Sequence, residues 1–101
     1  MIIENSGWSD ARGFYCDKYY IDTNRTDHVI RFKNGSVLRQ VKPFQEITMD
    51  WNHDGDEYAL CVAGFENKDG VGMTYWRPVD LVSKVINGEA EIDGIEKVKR
   101  R

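Results

Sequence analysis

Five dipeptides that favour tight turns are spaced along this chain, and they limit what it can fold into. Each joins Asn or Asp to Gly; they are Asn34-Gly35, Asp54-Gly55, Asp69-Gly70, Asn87-Gly88 and Asp93-Gly94. Asn, Asp and Gly adopt positive φ at low cost, as type I′ hairpin turns require. The segments between these dipeptides are short and rich in β-branched and aromatic residues, so the pattern predicts short antiparallel strands.

The clearest predicted hairpin has Asn34-Gly35 at its tip. A two-residue turn at that point would pair Phe32 with Val37. Because side chains alternate along a strand, Ile30 and Phe32 would then share the core-facing side of the hairpin with Val37 and Val41.

Further strands follow from the apolar pattern. Residues 13–21 indicate one strand, and the alternation of apolar and polar residues over 46–51 predicts another with one buried face. The nearly continuous apolar run over 58–65 is typical of a central strand that is covered on both faces. A further strand is predicted at 73–76, and Pro78 closes it. The tail from Gly94 could form one more strand or fray.

The segment after Pro78 leaves two structures open. Its valines fit one face of a helix, with Pro78 near the start and Asn87-Gly88 as the stop. The same Asn-Gly pair could instead join 82–86 to 89–92 as a hairpin. We expect a short 3₁₀ or helical turn after Pro78.

The predicted fold class is all-β: a small antiparallel barrel or a strongly bent sheet of five to six short strands. Residues 1–96 are expected to form one domain, followed by a basic tail at 97–101.

One stretch has a strand at 56–64, a loop at 67–72, a second strand, and the turn that contains Pro78. In this order the elements resemble the last part of an SH3-like barrel, over about residues 56–85. The resemblance implies a small antiparallel barrel. The acidic-aromatic and paired-tryptophan signatures of signalling SH3 domains are missing, so the resemblance does not imply recognition of proline-rich peptides.

The formal net charge of −3 is unevenly distributed. Residues 43–70 carry a net charge of −6, whereas residues 1–42 carry +2 and residues 71–101 carry +1. The sequence therefore predicts an acidic surface formed by the middle of the chain, which would attract a basic partner.

The sequence also predicts a cytoplasmic protein without membrane contact. No apolar run reaches the length of about 18–20 residues that a membrane span needs. The first residues lack the basic and apolar regions of a secretory signal. Two cysteines, Cys16 and Cys61, are too few for a disulfide scaffold and are expected to be free thiols.

Residues 50–55 match the first half of an EF-hand calcium loop, Asp-x-Asn-x-Asp-Gly. The twelfth position, where a bidentate Glu belongs, is Cys61. A cation site built from Asp50, Asn52, Asp54 and Asp56 remains open, but the favoured interpretation is a solvated acidic hairpin loop without metal. No cofactor is expected.

No motif supports an enzyme. A set of Cys61, His53 and Asp50 can be assembled for nucleophilic catalysis, but no characteristic spacing supports it. Phosphate-binding glycine loops are not evident either.

The function predicted from these features is binding of a protein partner with a basic surface. The size and acidity of the chain resemble those of small phage and bacterial inhibitors that regulate a larger enzyme or a nucleic-acid-binding protein. The expected partner contacts are acidic and aromatic residues of the middle segment with their neighbours: Asp50, Trp51, Asp54, Asp56, Glu57, Trp76 and Arg77.

Two alternatives stay open. The first is a nucleic-acid-binding barrel that uses Arg31, Lys33, Arg39 and Lys42 together with the basic tail, although the acidic pI of about 5.3 opposes it. The second is a binder of nucleotide-like small ligands, for which aromatic pockets with Arg would be suited.

Overall fold

Short antiparallel strands make up most of the structure. The computed structural model describes residues 7–10, 12–50, 57–67 and 69–98. Within these residues the strands are β1 (Gly7–Asp10), β2 (Gly13–Cys16), β3 (Tyr19–Asp22), β4 (Val29–Phe32), β5 (Val37–Gln40), β6 (Gln45–Asp50), β7 (Glu57–Asn67), β8 (Met73–Trp76), β9 (Ala90–Ile92) and β10 (Ile95–Lys97). The helix among them is α1 (Pro78–Ile86). The predicted mostly antiparallel β fold, with a short helix after Pro78, is confirmed.

The strands are divided between two curled sheets. The first has the order β1-β2-β3-β10. In the second, β6, β7, β5, β4 and β9 are successive hydrogen-bonded neighbours, and β8 also pairs with β7. The short connection Asp93-Gly94, with φ +91° at Gly94, carries the chain from β9 in one sheet to β10 in the other.

The hydrophobic core lies between the two sheets and α1. Its buried members come from all three parts: Phe14, Cys16, Ile21, Ile30, Ala63, Phe65, Leu81, Val82, Ala90 and Ile92. The long strand β7 is central to the second sheet, as the apolar run over 58–65 predicts.

The β4–β5 hairpin forms, but its predicted register is wrong by one residue. Val37 lies opposite Arg31 rather than Phe32, because the loop has three residues instead of two. The Gly35 N–H donates to the Phe32 carbonyl, and Gly35 takes a φ of +92° as the last loop residue. This combination is a type I turn followed by a left-handed residue.

The one-residue shift exchanges the two faces of β5. Leu38 and Gln40 face the core with Ile30, whereas Val41 is 39% exposed. The prediction that Val37 and Val41 face the core is therefore wrong, since a slip of one residue turns every side chain of a strand over.

Residues 13–21 form two strands rather than one. A tight turn at Asp17-Lys18 joins β2 to β3, and Cys16 lies opposite Tyr19. Asp17 adopts φ +54°, a conformation that Asp accepts more readily than most residues. The sequence has no Gly at this turn, so its pattern predicts one continuous strand here.

The helix α1 has clear signals at both ends. Pro78 occupies the first turn, where its missing N–H costs nothing. At the other end, the N–H groups of Gly88 and Glu89 donate to the carbonyls of Val85 and Lys84, which is a Schellman motif. Gly88 has φ +70°, so this Asn-Gly pair ends a helix and does not form a hairpin.

In the part of the chain that the structure describes, no helix has the length and apolar character needed to cross a membrane.

Candidate functional site: a two-stranded acidic arm

β6 and the first half of β7 form a two-stranded hairpin, which we call the arm (Gln45–Asp50, Glu57–Val62 and the residues between them). The pairing is continuous, from Gln45 opposite Val62 to Asp50 opposite Glu57. β8 pairs with β7 only over residues 63–66, which is beyond the arm. Among the described residues, the strands of the arm therefore pair only with each other.

The arm continues from β5 along the same edge of β7. Val41 and Lys42 both donate their N–H groups to the Gly64 carbonyl, which bends the chain after β5. Phe44 then packs edge-on against the ring of His28, with 6.0 Å between the ring centroids. This contact keeps the chain on the β5 side of β7 as β6 begins.

The described side chains of β6 are exposed on both faces of the strand. The side chains of residues 45–48 are all exposed, and Ile47 is 45% exposed. The strand itself is confirmed, but the predicted burial is wrong at Ile47, which no described element covers. The side chains of Met49 and Trp51, on the same predicted face, lie outside the described residues, so their burial stays a prediction. At the base of the arm, by contrast, Cys61 and Val62 are buried.

The arm is also the most acidic part of the chain. Residues 45–62 include five carboxylates and no Lys or Arg. Burial and the nearby Glu46 carboxylate raise the pKa of the Cys61 thiol, so this thiol stays protonated at neutral pH.

The predicted acidic contact residues belong to this arm. The backbones of Asp50 and Glu57 form its last described pair. Trp51, Asp54 and Asp56 lie outside the described residues, as does most of the candidate calcium loop over 50–55. Their roles therefore stay predictions.

Trp76 and Arg77 lie beside the base of the arm. Trp76 is paired with Ala63, next to the arm residue Val62. Its ring packs 6.3 Å from that of Phe32 between centroids, so it is partly a core residue. Arg77 precedes α1.

The Arg77 guanidinium donates two hydrogen bonds, of 2.9 and 3.0 Å, to the carboxylate of Asp80. This contact raises the pKa of Arg77 and fixes its side chain at the start of the helix.

The predicted basic residues do not form an uninterrupted positive surface. On the outer face of the second sheet, Arg39 lies opposite Glu66, and Arg31 lies opposite Glu91. Arg31 also forms an ion pair of 3.2 Å with Asp93. Carboxylates therefore alternate with these cations.

Exposed apolar residues lie on β8 and the loop before it, a feature that the sequence reasoning missed. Val71 is 72% exposed, Met73 45% and Tyr75 57%. Tyr75 is paired with Gly64, where the stem of Lys42 covers the glycine backbone. Met73 and Tyr75 alternate with Thr74 and Trp76 along β8, so the sequence already places apolar side chains on both faces of this strand.

An open pocket of about 560 Å³ lies between α1, β4, β9 and β10. Its lining combines apolar and charged residues: Arg31, Phe32, Lys33, Val85, Gly88, Ala90, Glu91, Ile92 and Ile95. The ion pair between Arg31 and Asp93, with Glu91 beside it, offsets the positive charge that a nucleotide phosphate would need. The nucleotide-like alternative gains no support from this pocket.

Both cysteine thiols are buried. Burial, with a smaller contribution from Asp17, raises the pKa of the Cys16 thiol to about 11. Both cysteines are free. Within the described ranges, no cluster of three or more His, Cys, Asp or Glu side chains could hold a metal ion.

Comparison of the chain with protein-family models, with curated proteins and with solved structures finds no match.

Proposed function

We propose that this chain is a small non-catalytic binding protein whose arm engages a protein partner with a basic surface. The observation that carries the proposal is the exposure of residues 45–48 on both faces of β6, in a hairpin that no other described strand supports. An isolated two-stranded hairpin is at best marginally stable in water. Contact with a partner would supply the missing support.

The charge of the arm selects the kind of partner. Five carboxylates within residues 45–62, without a compensating Lys or Arg, steer the arm towards positive charge. The same charge repels the phosphates of nucleic acids. The arginines of β4 and β5 offset this repulsion poorly, because Glu91 lies opposite Arg31 and Glu66 lies opposite Arg39. We therefore prefer a protein partner to a nucleic acid.

The state of the thiols supports binding rather than catalysis. A catalytic cysteine needs a lowered pKa and access to solvent, but Cys16 and Cys61 have raised pKa values and are buried. Two free thiols are compatible with the reducing cytoplasm that we propose as the location. Within this class of function, we propose an inhibitor or regulator of a larger enzyme or nucleic-acid-binding protein, of the kind found in phages and bacteria.

Affinity capture with paired variants tests this proposal. The double variant Asp54→Lys/Asp56→Lys reverses charge in the segment that joins the two strands of the arm. The matched control, Asp69→Lys/Glu96→Lys, makes the same change in net charge at two exposed residues outside the arm. Each protein is immobilised and incubated with lysate from the source organism at low and high salt.

We expect the unmodified chain and the control to capture the same protein in near-stoichiometric amount, less of it at high salt, and the arm variant to lose it. All three should have similar melting temperatures, because the sequence predicts Asp54 and Asp56 in a solvated loop and charge changes at exposed sites cost little stability. Equal capture by both variants would place the contact elsewhere. Capture of nucleic acid in place of protein would favour the alternative function.

A further inference from the structure

The outer edge of β6 carries backbone groups without a partner among the described residues, and the alternation of the strands identifies them. Gly64 directs its carbonyl towards the edge of β7 that β5 and β6 occupy, since it accepts from Val41 and Lys42. Every second residue of a strand faces the same edge. Val62 and Leu60 therefore bond to β6, and their partners are Gln45 and Ile47.

The other residues of β6 consequently face outwards. Glu46, Thr48 and Asp50 direct their N–H and C=O groups away from β7. No Pro, Lys or Arg interrupts Gln45–Asp50, although such residues commonly block exposed strand edges. Six residues give an edge of about 20 Å, which is long enough to pair with one added strand.

We propose that this edge receives an extended segment of the partner protein as an added β-strand, in which basic residues alternate with apolar ones. The inference rests on the proposed function and states how the arm would hold its partner. Strand addition supplies main-chain hydrogen bonds for affinity, and the alternate side chains supply specificity.

The side chains beside the edge define this alternation. Glu46 and Thr48 lie on the same face as Cys61, so residues of the added strand on this face would lie beside a carboxylate. Opposite charges on neighbouring strands stabilise the pairing. Ile47, which is 45% exposed, lies on the other face, where an apolar residue of the added strand would cover it.

The charge also argues against a second copy of this chain as the occupant. Pairing two β6 edges would bring together two arms, each with five carboxylates and no Lys or Arg. Like charges on adjacent strands destabilise the pairing. A lysine-bearing segment removes this repulsion and replaces it with attraction.

A synthetic peptide of about eight residues, with alternating lysine and valine, provides a defined probe. Binding is followed by the backbone amide signals of the full chain in NMR spectra, at low and high salt. The key variant is Thr48→Pro, which removes the central outward N–H. Proline is tolerated on edge strands where its N–H would face solvent. Thr48→Val is the matched control that keeps the N–H.

We expect the peptide to shift the amide signals of Gln45–Asp50. Thr48→Pro should weaken binding about ten-fold or more, whereas Thr48→Val should change it by less than about two-fold. A peptide of alternating glutamate and valine should not bind. If Thr48→Pro fails to fold, as judged by circular dichroism, the unmodified chain is tested with a lysine–valine peptide N-methylated at alternate residues, and binding should weaken to the same degree.

The possible failures can be told apart. Equal binding by Thr48→Pro, or by the N-methylated peptide, would overturn strand addition while leaving the acidic arm as a binding surface. Absence of binding by the lysine–valine peptide at low salt, or equal binding of the glutamate–valine peptide, would overturn the proposed segment. A dimer in sedimentation experiments that Thr48→Pro dissociates would instead assign the edge to a second copy. Failure of the proposed function itself appears separately, as lysate capture that is insensitive to Asp54→Lys/Asp56→Lys.

Discussion

His28 is a polar residue within the core of the fold. Its side chain is fully buried, and Nδ1 lies 2.7 Å from Oε1 of Gln40. Because an amide oxygen can only accept, Nδ1 carries the proton and the neutral ring leaves Nε2 as an acceptor. Among the described atoms, Nε2 has no hydrogen-bond partner. Adding a second proton would therefore place a poorly paired charge in the core.

This environment makes stability depend on pH. Burial, assisted by Arg25, lowers the pKa of His28 below 6.5, and the hydrogen bond to Gln40 with the carboxylates of Asp27 and Asp22 offsets only part of this effect. The unfolded chain therefore binds the proton first as the pH falls. We expect the free energy of unfolding to decrease below about pH 6.5, by up to about 1.4 kcal/mol per pH unit, until the lowered folded-state pKa is reached.

Denaturant unfolding at several pH values between 5 and 8 measures this slope. His28→Asn keeps a donor near the Nδ1 position but does not titrate, so its slope over the same window should be shallower. Parallel slopes for the two proteins would contradict the assignment to His28. The ring signals of His28 in NMR spectra give a second measurement, since they should titrate below pH 6.5.

At the scale of single elements, the β4–β5 loop depends on one glycine. Gly35 has φ +92°, and a Cβ at this position would meet no atom within 4 Å. Replacing it with Ala therefore tests backbone conformation alone. We expect Gly35→Ala to destabilise the chain by about 1–2 kcal/mol, because L-residues pay this cost in the left-handed region.

Thermal unfolding followed by circular dichroism checks this expectation. For a domain of this size, the melting temperature should fall by roughly 4–8 °C per kcal/mol. Lys33→Ala is the matched control in the same loop, where no positive φ is required, and should change stability by less than about 0.5 kcal/mol. Equal melting temperatures for Gly35→Ala and the unmodified chain would mean that the loop takes another conformation at no cost.

This loop also explains what could and could not be predicted from the sequence. Asn34-Gly35 correctly indicates a hairpin, but the dipeptide suits both a two-residue and a three-residue loop. The choice between them decides which side of β5 faces the core. In the observed register the buried Gln40 side chain bonds to His28 and donates to the Arg25 carbonyl. A buried glutamine that is satisfied by distant partners leaves no periodic signal in the sequence.

At the scale of the whole molecule, alternation alone could not locate the arm. Apolar and polar residues alternate over 46–51, as in a strand with one buried face. Whether a face is buried depends on what packs against it. Among the described strands β6 pairs only with β7, and its residues 45–48 are exposed. The uneven charge was the better guide, because it singled out the same segment without reference to packing.

The arm and the body should accordingly behave as separate units of stability. All described core residues lie outside 48–59, and residues 45–48 are exposed. Ile47 and Leu60 form a hydrogen-bonded pair by the alternation of β7, so a two-residue Asn-Gly turn can join them in place of 48–59. We expect this shortened chain to fold, with a melting temperature within a few degrees of the original.

The shortened chain should nevertheless fail to capture the partner from lysate and fail to bind the lysine–valine peptide. It lacks the edge around Thr48 and four of the five carboxylates of the arm. Amide exchange in the full chain provides an independent measurement: the amides of β6 should exchange much faster than those of β4, because the arm can open without disturbing the core. A shortened chain that unfolds cooperatively at far lower temperature, or β6 amides protected to the same degree as β4, would mean that the arm is a structural part of the core.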